Sequence, residues 1–270
     1  MLRCAREMWA RSAPREWIVL LKAIALLSRE NDFAGCLVVP LYDPCGAADA
    51  AVAHSSRNGR LGFVVKEIFK TLQGEGALAG RAAVFCRFSG CNLWSGREED
   101  RATATCQFCD TDFVGSDGDG GSRVAHAETL ADAIASAWGL ERERRFVVFT
   151  GGEPLLQLDA ELVDAVRGRG FFTAIETNGP LAAPTTLDWI CVSPKAGTIV
   201  RQTTGQELKL VFPQPGAPPE QFEGLDFQHF FLQPMDGPER ERNTEMAVEY
   251  CLAHPRWRIS LQTHKLMGIP

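Results

Sequence analysis

Three cysteines in one polar stretch have the spacing that is typical of metal ligands. Cys91, Cys106 and Cys109, the motif cysteines, follow the pattern C-x14-C-x2-C. A structural zinc ion takes four protein ligands in a closed tetrahedron, so three thiolates are one ligand short. Three thiolates do suit a four-iron cluster in which one iron stays open for a substrate or cofactor. The pattern therefore predicts an iron–sulfur centre that takes part in chemistry.

Two other interpretations of the motif cysteines stay open at this level. A zinc knuckle, or thiols without a ligand, would account for a lone C-x2-C pair equally well. Cys86, Cys191 and Cys251 lie in apolar segments, and we expect them to be core thiols. The motif cysteines lie instead among Ser, Gly, Asp and Thr residues. Apolar packing therefore does not explain them.

Composition restricts the class of protein. The chain has 270 residues, of which 45% are hydrophobic and 23% charged, with a net charge of −6 and a pI of ≈ 5.5. This is an ordinary globular composition, and its acidic balance argues against nucleic-acid or anionic-membrane partners. The nine cysteines do not show the spacing of a disulfide framework, and a thiolate-bound cluster needs a reducing compartment. We therefore expect a cytoplasmic protein.

Residues 1–60 differ from the rest of the chain. They are rich in Ala and Arg, carry no recognisable motif and end in the loop-like sequence HSSRNG. We expect an N-terminal extension, poorly ordered and outside a catalytic domain at 61–270. A start of translation downstream of this segment is an alternative. Arginines precede the apolar run at 17–27 as in a signal peptide, but the run is too short and interrupted to span a membrane.

Periodicity predicts the elements that position the motif cysteines. Leu130, Ile134 and Trp138 recur at i, i+4 and i+8, which is typical of one helix face, and further helices are predicted around Leu162 and Met246. Strands are predicted at 64–69, 82–88, 145–150, 171–176, 189–192, 208–212, 229–232 and 257–261. This alternation favours an α/β fold with a mostly parallel sheet. Residues 61–270 are too few for a full barrel of about 250 residues, so an incomplete (β/α) barrel is expected.

Several of these strands end in polar, glycine-rich sequence, where an α/β barrel places its chemistry. The strand at 145–150 ends in Thr150-Gly151-Gly152-Glu153-Pro154. The two glycines let the backbone approach a ligand closely, and Glu153 offers a carboxylate to a cationic amine. On its own this sequence fits an ordinary turn equally well. Beside the motif cysteines, it indicates a ligand site.

The motif cysteines and the GGEP sequence together resemble the radical S-adenosylmethionine (SAM) superfamily. The usual spacing there is C-x3-C-x2-C, and the first gap here is 14 residues rather than three. The chain also contains LQGEG at 72–76, RFSGCNLW at 87–94, CDTD at 109–112 and QTHK at 262–265. With these motifs, it resembles the 7-carboxy-7-deazaguanine synthase family over about residues 65–270. The longer cysteine loop is part of that resemblance.

The resemblance implies a radical SAM barrel with a modified cluster-binding loop, and a carbon–nitrogen lyase. Members of the family convert 6-carboxy-5,6,7,8-tetrahydropterin to 7-carboxy-7-deazaguanine with loss of ammonia. The product leads to queuosine and other 7-deazapurines. The resemblance further implies one [4Fe–4S] cluster per subunit, SAM and Mg²⁺ as cofactors, a homodimer, and a flavodoxin- or ferredoxin-type reductant.

Roles for particular residues follow from the same resemblance. The [4Fe–4S] cluster would be held by Cys91, Cys106 and Cys109, and Mg²⁺ by Thr111. The pterin substrate would be bound by Leu72, Gln73, Gly74, Glu75, Arg87, Thr150 and the C-terminal Pro270. SAM would be contacted by Gly152, Glu153, Glu176, Ser193, Pro194, Lys195, Gln233, Pro234, Met235 and Asp236.

Simple chemistry agrees with several of these roles but leaves alternatives. Magnesium prefers oxygen ligands, although a hydroxyl such as that of Thr111 also caps loop backbone. Arg87 has the fork that binds a carboxylate, although a solvated strand-edge arginine looks the same in sequence. Glu75 can accept a guanidine-like pair of N–H groups. His264 lies near the expected site by sequence alone, and a structural role fits it equally. The sequence identifies no general base.

Two rival functions remain at this level. The first is another radical SAM enzyme, such as an activase that abstracts hydrogen from a protein glycine. The second is a non-catalytic iron–sulfur or zinc module. Conversion of a tetrahydropterin separates the first rival from the family reaction, and a SAM-dependent change in the cluster's EPR signal excludes the second.

Overall fold

The computed structural model describes residues 62–270, so the expectations for residues 1–60 lie outside the described residues. Within that part of the chain, nine strands form one sheet. They are β1 (Phe63–Leu72), β2 (Ala82–Phe88), β3 (Ser122–Val124), β4 (Phe146–Gly151), β5 (Phe172–Thr177), β6 (Trp189–Val192), β7 (Thr204–Phe212), β8 (Asp226–Pro234) and β9 (Trp257–Ile259).

The sheet is open and mostly parallel. Its order is β3-β1-β2-β4-β5-β6-β7-β8-β9, and every pair from β2 to β9 is parallel. Among the described residues, β3 and β9 form the two edges and do not pair with each other. This arrangement confirms the predicted incomplete barrel. The predicted strands all form, with β1, β7 and β8 longer than expected.

Two features of the sheet were not expected from the sequence. β1 pairs antiparallel with β2, and the short β3 pairs antiparallel with β1. A short turn segment, residues 73–81, joins β1 to β2. It is closed by hydrogen bonds from the N–H of Gln73 to the carbonyl of Arg81 (2.8 Å) and from the N–H of Gly80 to the carbonyl of Gln73 (2.7 Å). So short a connection cannot make the crossover that parallel strands need.

Four helices occur in residues 62–270, and two of them cover one face of β1, β2, β4 and β5. The helices are α1 (Ala127–Trp138), α2 (Ala160–Arg167), α3 (Arg240–Ala253) and α4 (Thr263–Met267). α1 buries Leu130, Ile134 and Trp138, the predicted apolar stripe. α2 begins at an Asp159 cap, whose carboxylate accepts a 3.0 Å hydrogen bond from the N–H of Leu162. None of these helices has the length and apolar character needed to cross a bilayer.

The apolar interior has two parts. The larger part joins α1 and α2 to the first half of the sheet, with Phe88 and Phe149 stacked at 6.2 Å between ring centroids. The smaller part lies under α3 and the last strands, around Leu210 and the fully buried Trp257. Both parts anchor the strands from outside, which leaves the inner carboxyl ends of the strands free to carry polar groups.

Candidate functional site

The carboxyl ends of the parallel strands surround a cavity of ≈ 490 Å³. This volume lies within the range of about 300–1,000 Å³ that is usual for small-molecule sites. The turn between β1 and β2, the loop of the motif cysteines and α4 complete its walls. Every site residue expected from the sequence lines the cavity except Glu153 and Pro194.

The motif cysteines share this cavity. Cys106 is buried, while Cys91 and Cys109 are half-buried. Burial raises the pKa of the Cys91 and Cys106 thiols, although the charge of Lys195 partly offsets the effect at Cys106. Within residues 62–270, no three His, Cys, Asp or Glu side chains are grouped so that they could hold a metal ion. The fit to a cluster therefore rests on the donor set, which is three thiols that all line this cavity.

The long gap between the first two motif cysteines is an ordered scaffold. Its centre is a 3₁₀ segment, Glu98–Thr103. Arg101 in this segment donates hydrogen bonds to the carbonyls of Gln107 (2.9 Å) and Cys109 (3.0 Å). The same guanidinium lies 4.0 Å from the centre of the Trp94 ring, a cation–π contact. The residues between Cys91 and Cys106 therefore hold the backbone of the C-x2-C pair in place through Arg101.

Thr111 lies between two aspartates that are already paired. The ammonium group of Lys265 lies 2.5 Å from Asp110, and that of Lys66 lies 2.8 Å from Asp112. The hydroxyl of Thr111 has no hydrogen-bond partner among residues 62–270, and the residue lines the cavity. The hydroxyl oxygen of Thr111 therefore remains available to coordinate a metal ion or to bind another ligand.

A cross-strand row supplies charge on one wall of the cavity. Glu67 on β1 is opposite Arg87 on β2, which is opposite Thr150 on β4. Arg87 donates from Nε to Glu67 at 2.6 Å. Its two terminal amino groups have no partner within the described part of the chain, and all three residues line the cavity. The free end of the guanidinium is available for a carboxylate.

Glu75 lies in the turn between β1 and β2 and lines the cavity. It forms an ion pair with Lys209 on β7 and accepts hydrogen bonds from Gln262 (3.0 Å) and Gln233 (3.2 Å). Burial alone would raise the pKa of the Glu75 carboxyl, but the ammonium of Lys209 holds it at about 2. Glu75 is therefore an ionised acceptor.

Lys209 also contacts Glu176 at the end of β5, at 3.3 Å. The other oxygen of Glu176 accepts a 2.9 Å hydrogen bond from the side chain of Gln73. Sequence reasoning missed Lys209 because the segment 208–212 has the composition of a buried apolar strand. A lysine inside such a strand, where burial demands a partner charge, was the available signal.

Glu153 lies behind the cavity wall. One of its carboxylate oxygens accepts hydrogen bonds from the N–H of Leu155 (2.9 Å) and the hydroxyl of Thr177 (2.8 Å), and the other accepts from the N–H of Asn178 (2.8 Å). Both oxygens therefore point into protein rather than into the cavity. At this strand end it is Gly152, rather than Glu153, that lines the cavity. A Cβ there would lie 2.7 Å from that of Cys91.

The later strand ends carry further polar groups. Lys195 follows β6 and donates to the carbonyl (2.7 Å) and hydroxyl (2.8 Å) of Ser193. Asp236 follows β8 and accepts from Lys265 at 2.7 Å. Pro194, outside the cavity lining, accepts through its carbonyl from Gln214 at 3.3 Å.

The last residues of the chain cover the turn that holds Glu75. The N–H of Thr263 donates to the carbonyl of Gly74 at 2.9 Å, and a Cβ on Gly74 would collide with the ring of His264. The hydroxyl of Thr71 donates to the carbonyl of Pro270 at 2.9 Å. The segment therefore forms part of the cavity wall, which His264 and Pro270 both line.

An open, mostly parallel sheet, with three cysteines on the loop that follows β2, has the fold and site of a radical SAM-type enzyme. No family model matches the chain. It is 66% identical to the 7-carboxy-7-deazaguanine synthase of Bordetella pertussis over 210 residues, 78% of this chain and 100% of the relative. It is 64% identical to the synthase of Caulobacter vibrioides over 208 residues, 77% and 99% of the two chains. The chain belongs to the 7-carboxy-7-deazaguanine synthase family.

The fold agrees with this assignment. QueE from Escherichia coli superposes with a TM-score of 0.58 at 27% identity, covering 77% of this chain and 99% of that chain. The expected family, fold and enzyme class are thereby confirmed. The chain is an enzyme with radical SAM chemistry that acts on a small molecule.

Proposed function

We propose that the chain converts 6-carboxy-5,6,7,8-tetrahydropterin to 7-carboxy-7-deazaguanine with loss of ammonia, in queuosine and 7-deazapurine biosynthesis. One observation carries this proposal: three thiols, a free guanidinium end and an ionised carboxylate surround the same cavity. These groups complement an iron–sulfur cluster, a substrate carboxylate and the N–H groups of a pterin ring, respectively.

The cofactor sites follow from the donor sets. Cys91, Cys106 and Cys109 would hold a [4Fe–4S] cluster and leave one iron open, and Thr111 would offer its hydroxyl to Mg²⁺. When bound, these groups and SAM supply electron transfer, hydrogen abstraction and Lewis-acid polarisation. Because burial raises the pKa of the Cys91 and Cys106 thiols, the positive charge of iron would be needed to hold them as thiolates.

The substrate residues would orient the pterin. Arg87 would bind the carboxylate with its two free amino groups, beside Thr150. Glu75 would accept from the N–H groups at the opposite end of the ring. The remaining contacts would come from Leu72, Gln73, Gly74 and Pro270. Orientation of this kind and exclusion of water are the contributions that a protein makes to cofactor-based radical chemistry.

SAM would lie across the neighbouring strand ends. The main chain at Gly152 would meet its methionyl amine, with Glu153 fixing that main chain from behind. The other contacts would come from Glu176, Ser193, Pro194, Lys195, Gln233, Pro234, Met235 and Asp236. Pro194 does not line the cavity, so its role would be to fix the backbone conformation between Ser193 and Lys195.

We also propose a cytoplasmic homodimer, reduced by a flavodoxin- or ferredoxin-type protein, in which residues 1–60 lie outside the catalytic unit. The match to the Bordetella relative over 210 residues, 100% of its length, supports the last point. The lack of a disulfide framework in the sequence supports a reducing compartment.

Anaerobic reconstitution tests the proposed reaction. The protein, loaded with iron and sulfide, is incubated with SAM, Mg²⁺, a reductant and the tetrahydropterin. We expect 7-carboxy-7-deazaguanine, and we expect SAM to change the cluster's EPR signal. A Cys106→Ala variant should lose both, whereas Cys251→Ala, at a half-buried thiol outside the cavity, should keep both. SAM cleavage without this product would favour an activase-like enzyme, and an unchanged EPR signal would favour a non-catalytic module.

A further inference from the structure

Lys209 carries a buried charge that connects two sides of the cavity. Its side chain is 4% exposed, and its ammonium group contacts Glu75 from the β1–β2 turn and Glu176 from the end of β5. Burial alone would lower the pKa of Lys209, but the two carboxylates raise it well above its ordinary value. Lys209 therefore stays protonated at neutral pH and is a poor acid or base.

The two carboxylates are held at their other oxygen atoms by amides. Glu75 accepts from Gln233 and Gln262, and Glu176 accepts from Gln73. Each carboxylate thus has a fixed direction, and both residues line the cavity. The cluster of two carboxylates and one ammonium has a net charge of −1, which suits the N–H donors of a ligand.

Among residues 62–270, Lys209 is the cation that forms ion pairs with both Glu75 and Glu176. Cys191 and Glu207 also lie near, but a thiol and a carboxyl are neutral or negative, so neither compensates two carboxylates. Lys195 donates to Ser193 instead. The titratable groups that face this cluster from the surrounding elements are Cys191, Lys195, Glu207 and His264.

We propose that Lys209 is a positioning residue that keeps Glu75 and Glu176 both ionised and directed at the cavity, so that Glu75 can read the pterin N–H groups. The proposal rests on the proposed function, since it takes a pterin as the ligand of Glu75. Without Lys209, two like charges would face each other in a buried place, and one carboxylate would take up a proton. The proton should go to Glu75, because burial is the largest influence on its pKa. A protonated Glu75 presents a donor where the pterin also presents donors.

The test measures pterin affinity against pH in reconstituted enzyme with SAM and no reductant, so that no turnover occurs. We expect the wild-type Kd to be flat between pH 6 and pH 9, a window well above the pKa of about 2 at Glu75. Lys209→Met should bind the pterin about tenfold or more weakly at pH 7 and recover as pH rises. Lys209→Arg should restore a flat profile. Lys70→Met, at an exposed lysine outside the cavity, should match wild type.

A second variant covers the case in which Lys209→Met does not fold. Lys209→Met/Glu75→Gln removes one carboxylate together with the ammonium group, so the repulsion disappears. This double variant should bind the pterin weakly but with a flat pH profile. A Lys209→Met enzyme with wild-type Kd at every pH, or a double variant that keeps a strong pH dependence, overturns the proposal. If the wild type itself binds no pterin, the proposed function fails instead.

Discussion

The carboxylate of Glu153 accepts a hydrogen bond of 2.8 Å from the main-chain N–H of Asn178, which joins the end of β4 to the residue after β5. The same carboxylate accepts from the N–H of Leu155 and the hydroxyl of Thr177. Because all three partners are donors, the site matches a carboxylate and not an amide. Glu153 thus fixes the relative position of two strand ends that line the cavity.

Glu153→Gln should destabilise the protein. The amide group of Gln has two N–H donors, so at least one would face a donor in a buried place. Leaving one buried group unsatisfied costs about 1–3 kcal/mol. We expect a lower thermal midpoint and weaker SAM binding. Glu161→Gln, at an exposed position in the first turn of α2, should change the free energy of unfolding by less than about 0.5 kcal/mol. Equal stability of the two variants would contradict this account of Glu153.

Replacing Arg87 should affect the substrate rather than the fold. Arg87→Met removes both free amino groups, and losing hydrogen bonds to a charged group is worth about 1.5–3 kcal/mol, roughly ten- to a hundredfold in pterin Kd. The pterin KM should rise while the SAM Kd stays near wild type. Arg123→Met, at an exposed position on β3, serves as the matched control. An unchanged pterin KM in Arg87→Met would exclude the proposed fork.

Much of the fold follows from local pattern, and the exceptions depend on contacts distant in sequence. The apolar segments that became β2 and β6 have the bounds expected from sequence. β3 is different, because the sequence Ser122-Arg123-Val124 becomes a strand only by pairing with β1. The antiparallel direction of β1 likewise comes from its short turn to β2.

For the site, sequence motifs indicated polar residues at the strand ends that line the cavity. They did not indicate the side chains that form ion pairs with those residues. Glu67 stands alone in sequence, and Lys209 is marked only by its place inside an apolar segment, not by spacing to another motif. Their importance appears only when β7 approaches the β1–β2 turn and β1 pairs with β2. The inward direction of the Glu153 carboxylate is also set by the neighbouring strand, through Thr177 and Asn178. The local sequence around Glu153 does not show this direction.

Thr111 should control the response to magnesium. Asp110 and Asp112 are paired with lysines, so the Thr111 hydroxyl is the oxygen at this position that we expect to meet the metal. Thr111→Ala should raise the Mg²⁺ concentration needed for half-maximal activity by about tenfold, the effect of roughly 1.4 kcal/mol. Thr111→Ser, which keeps a hydroxyl, should remain near wild type. Thr103→Ala, outside the cavity, is the control. An unchanged Mg²⁺ dependence in Thr111→Ala would remove Thr111 from the metal site.

Residues added after Pro270 should impair the enzyme. Pro270 lines the cavity, and its carbonyl accepts from Thr71. An extension would crowd this part of the wall, so we expect a higher pterin KM with unchanged cluster content. The same extension placed before Met1 is the control. Thr71→Val should raise the pterin KM more mildly, because it removes a single hydrogen bond, typically worth about 0.5–1.5 kcal/mol. Full activity after a C-terminal extension would contradict this arrangement.

We propose that this one cavity holds the pterin C6–H next to the SAM 5′ carbon, so that hydrogen passes from one to the other and SAM is re-formed in each turnover. Deuterium placed at C6 of the pterin tests this most directly, with mass spectrometry of both the product and the recovered SAM. We predict 7-carboxy-7-deazaguanine in molar excess over SAM, and deuterium in the recovered SAM. Product formed without deuterium in SAM, or no product from enzyme with a complete cluster, would contradict the account.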